Sequence, residues 1–146
     1  MSTIRIALVG FGNVGRALVR LLEQKRDLLQ SEFGFSTLLT GIATAQHGMA
    51  IDPRGIDPFK ALELAGEGQD LSTLSQVNDP RSVMDFIQSV PADVLFENSP
   101  VNHHTGQPAI DYLAAALRRG MHAITANKGP VVHGYEELTA LAAQSG

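Results

Sequence analysis

Gly10, Gly12 and Gly15 directly follow an apolar run at residues 4–9, and a helical pattern opens at Val14. A Gly-x-Gly-x-x-Gly spacing between a strand and a helix can cradle a phosphate. Gly10 permits a tight turn. Gly12 removes the side chain where a pyrophosphate would approach the backbone, and Gly15 lets the helix pack closely. The helix N-terminus would then aim free N–H groups and its positive dipole end at the phosphates. Phe11, Asn13 and Val14 lie on the same turn and belong to the same expected contact. The alternative is a tight strand-to-helix turn with no ligand.

A second chemical candidate is Lys128, in the segment Thr125-Ala126-Asn127-Lys128-Gly129-Pro130. The chain has three lysines, and Lys25 and Lys60 fall in a helical pattern and a polar connection where water would solvate them. Lys128 instead follows an apolar strand-like run. An ammonium there could stabilise an alkoxide or exchange a proton with a substrate hydroxyl. A surface lysine in a turn is the plainer reading, and position alone leaves both open.

Two further loops complete the set. Asn98, Ser99 and Pro100 follow a buried strand. Their short polar side chains suit cofactor contact, and equally an ordinary Asx or Ser turn. Thr44, Ala45, Gln46 and His47 follow the second strand, where an NAD-preferring fold often carries an acidic residue for the ribose. No carboxylate appears before Asp52. A carboxylate would repel a 2′-phosphate, so its absence permits NADP and leans the reading that way without excluding NAD. Arg54 could reach such a phosphate, or be a solvated loop residue.

Histidines offer a weaker story. His103 and His104 are adjacent, so their side chains diverge on either a strand or a helix. With His122 and His133 and no cysteine, they give poor zinc geometry, and no metal site is expected.

The elements that must position these residues alternate between strand and helix. Strands are expected at residues 4–9, 37–43, 92–97 and 121–125. The first helix is expected to run to about Leu29, with Val14, Ala17, Leu18, Leu21 and Leu22 on its inner face. Residues 46–76 form a polar, glycine-containing connection. Within it, Asp57-Pro58 reads as N-cap and first residue of a short helix ending near Gly66, with Phe59, Leu62 and Ala65 inward. Asp79-Pro80 gives the same start signal for a helix burying Val83, Phe86, Ile87 and Val90. Another helix is expected from Thr105 or Gly106, with Pro108 in its first turn and Ile110, Leu113, Ala114 and Leu117 inward. It should end at Arg118 and Arg119 with Gly120 as the left-handed stop. A last helix covers residues 136–144. This alternation implies an α/β fold, a Rossmann-like, doubly wound parallel sheet with helices on both faces. Its ligand crevice should lie beyond the carboxyl ends of the strands.

Composition excludes several classes. A chain of 146 residues with 44% hydrophobic residues can bury one core. A net charge of −4 with interspersed signs gives no basic stripe for nucleic acid. No apolar run reaches the roughly 18 residues of a membrane span, and no signal peptide is visible. The absence of cysteine removes disulfides and thiolate chemistry, and a cytoplasmic setting is the default expectation.

Taken together, the Gly10–Gly15 motif and the Thr125-Ala126-Asn127-Lys128-Gly129-Pro130 segment resemble homoserine dehydrogenase. The glycine-containing connection after the second strand, and Asn98-Ser99-Pro100 before the following helix, fit as well. The resemblance covers nearly the whole chain, and only the N-terminal nucleotide-binding part of that enzyme. It implies hydride transfer between NAD(P)H and aspartate 4-semialdehyde or homoserine, in the route to threonine, isoleucine and methionine. It also implies that Lys128 matches the family's lysine near the nicotinamide and the reacting oxygen. A second lysine, the acidic residues that hold the amino group of the small amino-acid substrate, and most dimer contacts belong to the family's other domain. Residues 1–146 are therefore expected to be one dinucleotide-binding domain, a fragment lacking the substrate and dimerisation domain and inactive alone, with the full-length enzyme a homo-oligomer. Aspartate dehydrogenase and a non-catalytic nucleotide-binding module are the competing readings.

Overall fold

Alternation along the first strand decides the layering. In β1 (Ser2–Val9), Ile6 and Leu8 point one way, Ala7 and Val9 the other, and all four are buried. A strand buried on both sides must be covered on both. The computed structural model describes all residues 1–146 and shows how.

β1 pairs in parallel with β2 (Phe35–Ala43) on one side and β4 (Val94–Glu97) on the other. β5 (His122–Thr125) pairs in parallel outside β4. β3 (Met49–Ile51) closes the far edge of β2 antiparallel, giving the order β3-β2-β1-β4-β5. On one face, α4 (Val83–Ser89) and α5 (Ala109–Arg118) pack Phe86, Ile87, Ala115 and Ala116 on Ala7, Val9 and Leu95. On the other, α1 (Asn13–Gln24), α3 (Pro58–Gly66) and a 3-10 turn (Leu71–Leu74) bring Val19, Ala61 and Leu71 to Ile6, Leu8 and Ile42. The expected doubly wound sheet is present, with one antiparallel edge strand that was not expected. Three residues are too few for alternation to announce β3.

β1 and β2 slip register between Ile6 and Ala7, and Thr40 is the extra residue. Its fully buried hydroxyl donates to the Ile6 carbonyl at 3.3 Å and the Pro91 carbonyl at 2.9 Å. The bulge thereby uses a polar side chain to tie the connection before β4 to the sheet.

Several helical expectations shift. The first helix breaks at Lys25, which caps α1 and starts α2 (Arg26–Phe33), so the pattern to Leu29 spans two helices. The buried stripe of α1 is Gly15 and Val19 with half-buried Leu18 and Leu22. Val14, Ala17 and Leu21 face out, because Gly15 is the residue drawn against the chain beneath it. Asp57 does cap α3, accepting from the Phe59 and Lys60 amides, yet Phe59 is 67% exposed and Ala61 is buried instead. Asp79-Pro80 does not start α4. Ser82 does, its hydroxyl accepting from the Asp85 amide. α5 begins at Ala109 with Pro108 as cap, later than Thr105 or Gly106, because Asn102 and Thr105 turn the intervening chain by side-chain bonds to backbone amides. The expected inner residues of α5 are all buried, and Gly120 is left-handed at φ 76°. α6 (Lys128–His133) was not expected, and α7 (Tyr135–Ser145) is the last helix.

Candidate functional site

Because β1, β2, β4 and β5 run parallel, the loops that follow them all emerge at one edge. There they form two adjoining clefts. Gly10, Phe11, Gly12, Thr44, Ala45, Asn98 and Pro100 border the first, together with Arg16, Gln46, His47 and the insertion residues Ala65 and Leu71. Val14, Asn98, Ser99, Asn127 and Lys128 border the second, with Val101, His103 and Ala126. Asn98 is common to both. Of the expected residues, Asn13 and Gly15 border neither. Asn13 accepts a hydrogen bond from Arg16 at 3.2 Å, and Gly15 lies under the loop. Arg54 borders neither as well. It is exposed in a turn, 3.8 Å from Asp52.

The glycine turn is shaped by close backbone approach. Gly10 has φ +92°, and a Cβ there would stand 2.6 Å from the Asn98 carbonyl oxygen. A Cβ at Gly15 would stand 2.6 Å from the Gly10 carbonyl oxygen, so it is the turn itself that helix α1 packs against. Nothing lies within 4 Å of a Cβ at Gly12, which caps α1 without any side-chain hydrogen bond. Helix α1 thus begins with open space at Gly12 and no side-chain cap on its first amides, an arrangement that suits an anion. Phe11 borders the cleft and also belongs to the core cluster of Ile6 and Leu8.

Residues 44–47 turn back on themselves through the Thr44 hydroxyl, which donates to the Gly48 carbonyl at 2.8 Å and accepts from the His47 amide at 2.8 Å. Gly48 (φ +78°) is needed there, because Asp70 Oδ1 occupies the place of its Cβ. The Asp70 carboxyl is held below its ordinary 3.8, chiefly by the Ser72 backbone amide, then by the Ser72 side chain, with His47 adding a smaller electrostatic pull. Arg16 was missed from the sequence. Its place one residue after Gly15, on the first turn of α1, was the available signal.

The second cleft is organised by polar side chains. Glu97, at the end of β4, is fully buried. Its Oε1 accepts from the Ser99 amide at 2.7 Å and from the Ser99 hydroxyl, and its Oε2 accepts from the Thr125 hydroxyl at 2.7 Å. Asn127, 6% exposed, donates from Nδ2 to the Ser99 carbonyl at 3.2 Å. Its Oδ1 accepts from the Gly129 amide at 3.0 Å and so caps α6. Lys128 is the first residue of that helix and is exposed toward the cleft. His103 borders the same cleft, and its carbonyl is bonded to the His133 ring at 2.8 Å. The Tyr112 hydroxyl is pushed above its ordinary 10.0, mostly by burial and then by the negative charge of Glu97 and Asp111. Glu97 was missed because a carboxylate ending an apolar strand reads simply as the strand's polar end.

Two observations fit a dinucleotide to this edge. The space over Gly12 is open, and Asn98 Nδ2, at the junction of the clefts, is buried with no hydrogen-bond partner. A buried donor left unpaired is costly, and a ligand acceptor would relieve it.

A doubly wound sheet with a glycine turn and this crevice is the architecture of a dinucleotide-binding domain. Residues 10–146 match the family model described as "Homoserine dehydrogenase, NAD binding domain", and the chain belongs to that family. It is 33% identical over 133 residues to a homoserine dehydrogenase of Methanocaldococcus jannaschii, covering 91% of this chain and 39% of that protein. It is 33% identical over 147 residues to the NAD(+)-dependent homoserine dehydrogenase of Pseudomonas canavaninivorans, covering 97% and 40%. Among solved structures, a hyperthermophilic archaeal homoserine dehydrogenase in complex with NADPH superposes with a TM-score of 0.79 at 26% identity, covering 98% of this chain and 41% of that one. The chain thus spans about two-fifths of the length of these relatives.

Proposed function

We propose that this chain is the nucleotide-binding part of a homoserine dehydrogenase, working with NAD(P)H on aspartate 4-semialdehyde and homoserine. The bound dinucleotide supplies or accepts the hydride. The observation that carries the reading is the junction of the two clefts, where the glycine turn and the Lys128 loop meet across Asn98. In this reading the turn of Gly10, Phe11, Gly12, Asn13, Val14 and Gly15 holds the pyrophosphate. Thr44 and Ala45 border the adenosine. Asn98, Ser99, Pro100 and Asn127 lie along the nicotinamide side. Lys128 stands at the reacting oxygen, where its ammonium stabilises negative charge or passes a proton. The substrate's amino group is held by a further domain, which also supplies most contacts of a homo-oligomer. The reaction belongs to the route toward threonine and methionine and is placed in the cytoplasm.

The cofactor preference we assign is NADP. No carboxylate stands at residues 44–47, and half-buried Arg16 borders the same cleft. Titrating this chain with NADPH and with NADH while following its melting temperature tests both points, since a ligand of the folded state raises apparent stability. A larger shift with NADPH, reduced by Arg16→Ala, is expected. A larger shift with NADH assigns NAD, and no shift with either removes the dinucleotide reading. In the full-length enzyme, Lys128→Ala should cut turnover at least about a hundredfold while cofactor affinity changes little. Normal turnover would take Lys128 out of the chemistry.

A further inference from the structure

We infer that Glu97 is a positioning residue, whose buried carboxylate fixes the distance between the Asn98–Pro100 loop and the Thr125–Gly129 loop and so shapes the nicotinamide half of the crevice. The inference rests on the dinucleotide reading above. Glu97 touches neither cleft. It acts through residues that do.

Burying a carboxylate is costly unless its lone pairs are satisfied. Glu97 is fully buried and has no basic partner within salt-bridge distance, so it is not held by a counter-ion. Three donors converge on it instead. The Ser99 amide and hydroxyl reach one oxygen, and the Thr125 hydroxyl reaches the other. Ser99 lies just after β4 and Thr125 ends β5, so each oxygen holds the start of a different loop. Every bond is donated to Glu97, which suits an acceptor-only carboxylate and no other side chain of that length.

The arrangement then propagates. The Thr125 oxygen that donates to Glu97 also accepts from the Asn127 amide at 3.0 Å. Asn127 closes the ring by donating to the Ser99 carbonyl at 3.2 Å and caps α6 through Gly129. Lys128, the first residue of that helix, is therefore placed relative to Ser99 by a chain of bonds that starts at Glu97. The glycine turn has no such link. It is held by main-chain contact, with the Gly10 amide donating to the Ala43 carbonyl at 2.8 Å. Loss of the carboxylate should thus loosen one half of the crevice and spare the other.

The test uses this chain and two ligands: whichever of NADH or NADPH it binds more tightly, and the matching ADP-ribose or 2′-phospho-ADP-ribose, which lacks the nicotinamide. Each is titrated calorimetrically against wild type, Glu97→Ala, Glu97→Gln and Thr125→Val. In Glu97→Ala and Thr125→Val, affinity for the reduced dinucleotide should fall about tenfold or more, as expected for losing bonds to a charged group. Affinity for the fragment should stay within about twofold of wild type. Glu97→Gln should be intermediate, because its amide can still bridge Ser99 to a turned Thr125 hydroxyl. If Glu97→Ala does not fold, Thr125→Val decides, since it removes only one hydroxyl. Equal weakening of both ligands would make Glu97 a general fold residue and overturn the inference, as would unchanged dinucleotide binding. If wild type binds the fragment and the dinucleotide equally, no nicotinamide half exists to be positioned and the inference is also overturned. Binding of neither ligand by wild type would overturn the dinucleotide reading and this inference with it.

Discussion

Around Gly10 the crevice is held by backbone against backbone, while around Glu97 it is held by side chains reaching across between strands. At Gly10 a positive φ and the Asn98 carbonyl leave no room for a methyl group. At Glu97 the space is filled by a carboxylate and two hydroxyls. The first wall should fail abruptly when an atom is added. The second should fail in steps as hydrogen bonds are removed.

The largest effect is expected at Gly10→Ala. A strained φ and a 2.6 Å approach to a carbonyl oxygen should together cost about 3 kcal/mol in urea unfolding. A loss below about 1 kcal/mol would show that the turn can yield and that main-chain contact is not what holds this wall. Next comes Asn127→Ala, which removes the α6 cap and the tie to Ser99. It should cost about 1–2 kcal/mol in the same experiment. A cost as large as that of Gly10→Ala would erase the contrast between abrupt and stepwise failure.

Asp93→Asn, at the opposite end of the sheet, calibrates both walls. Asp93 accepts from Arg5 at 2.7 Å, and that bond above all holds its carboxyl below the ordinary 3.8. Its contribution is complete above pH 3.8 and is lost as pH falls through the lower folded value. Both partners are more than a third exposed, so after discounting for screening by solvent the loss is under about 1 kcal/mol. The variant should show a flatter fall in melting temperature below pH 4 with nucleotide binding at pH 7 unchanged. A binding change would mean that the sheet transmits strain to its ligand edge. The smallest change in stability, under about 0.5 kcal/mol, is expected for Gly12→Ala, where a new methyl meets nothing within 4 Å. Its effect should fall on dinucleotide affinity. Unchanged affinity would mean that the pyrophosphate does not approach there.

The backbone-built wall was legible in the sequence. Glycine spacing, strand alternation and the absence of a carboxylate at Thr44 and Ala45 are local signals. The loops of Asn98-Ser99-Pro100 and Asn127-Lys128 were legible as positions at one sheet edge. What could not be read was which of their atoms meet. The Glu97 network joins residues 28 apart in sequence, and its donors are types that also make ordinary turns. The burial of α1 was misjudged for a related reason. Apolar spacing marked a stripe through Val14 and Leu21, but close contact at Gly15 rotated the helix so that Val19 went inward. The insertion yielded its Asp57 cap and hid β3, whose three residues are recognisable only by their partners on β2.

β5 is the outermost strand of the sheet, paired on one side only. The amides of His122 and Ala126 donate inward to Asp93 and Glu97. The alternation of a parallel strand sends that of Ile124 the same way and turns those of Ala123 and Thr125 to the open side. Deuterium labelling should therefore find two rapidly exchanging amides in an otherwise slow strand, one residue from each of their protected neighbours. Any chain that later lies along that edge would announce itself by slowing those two first.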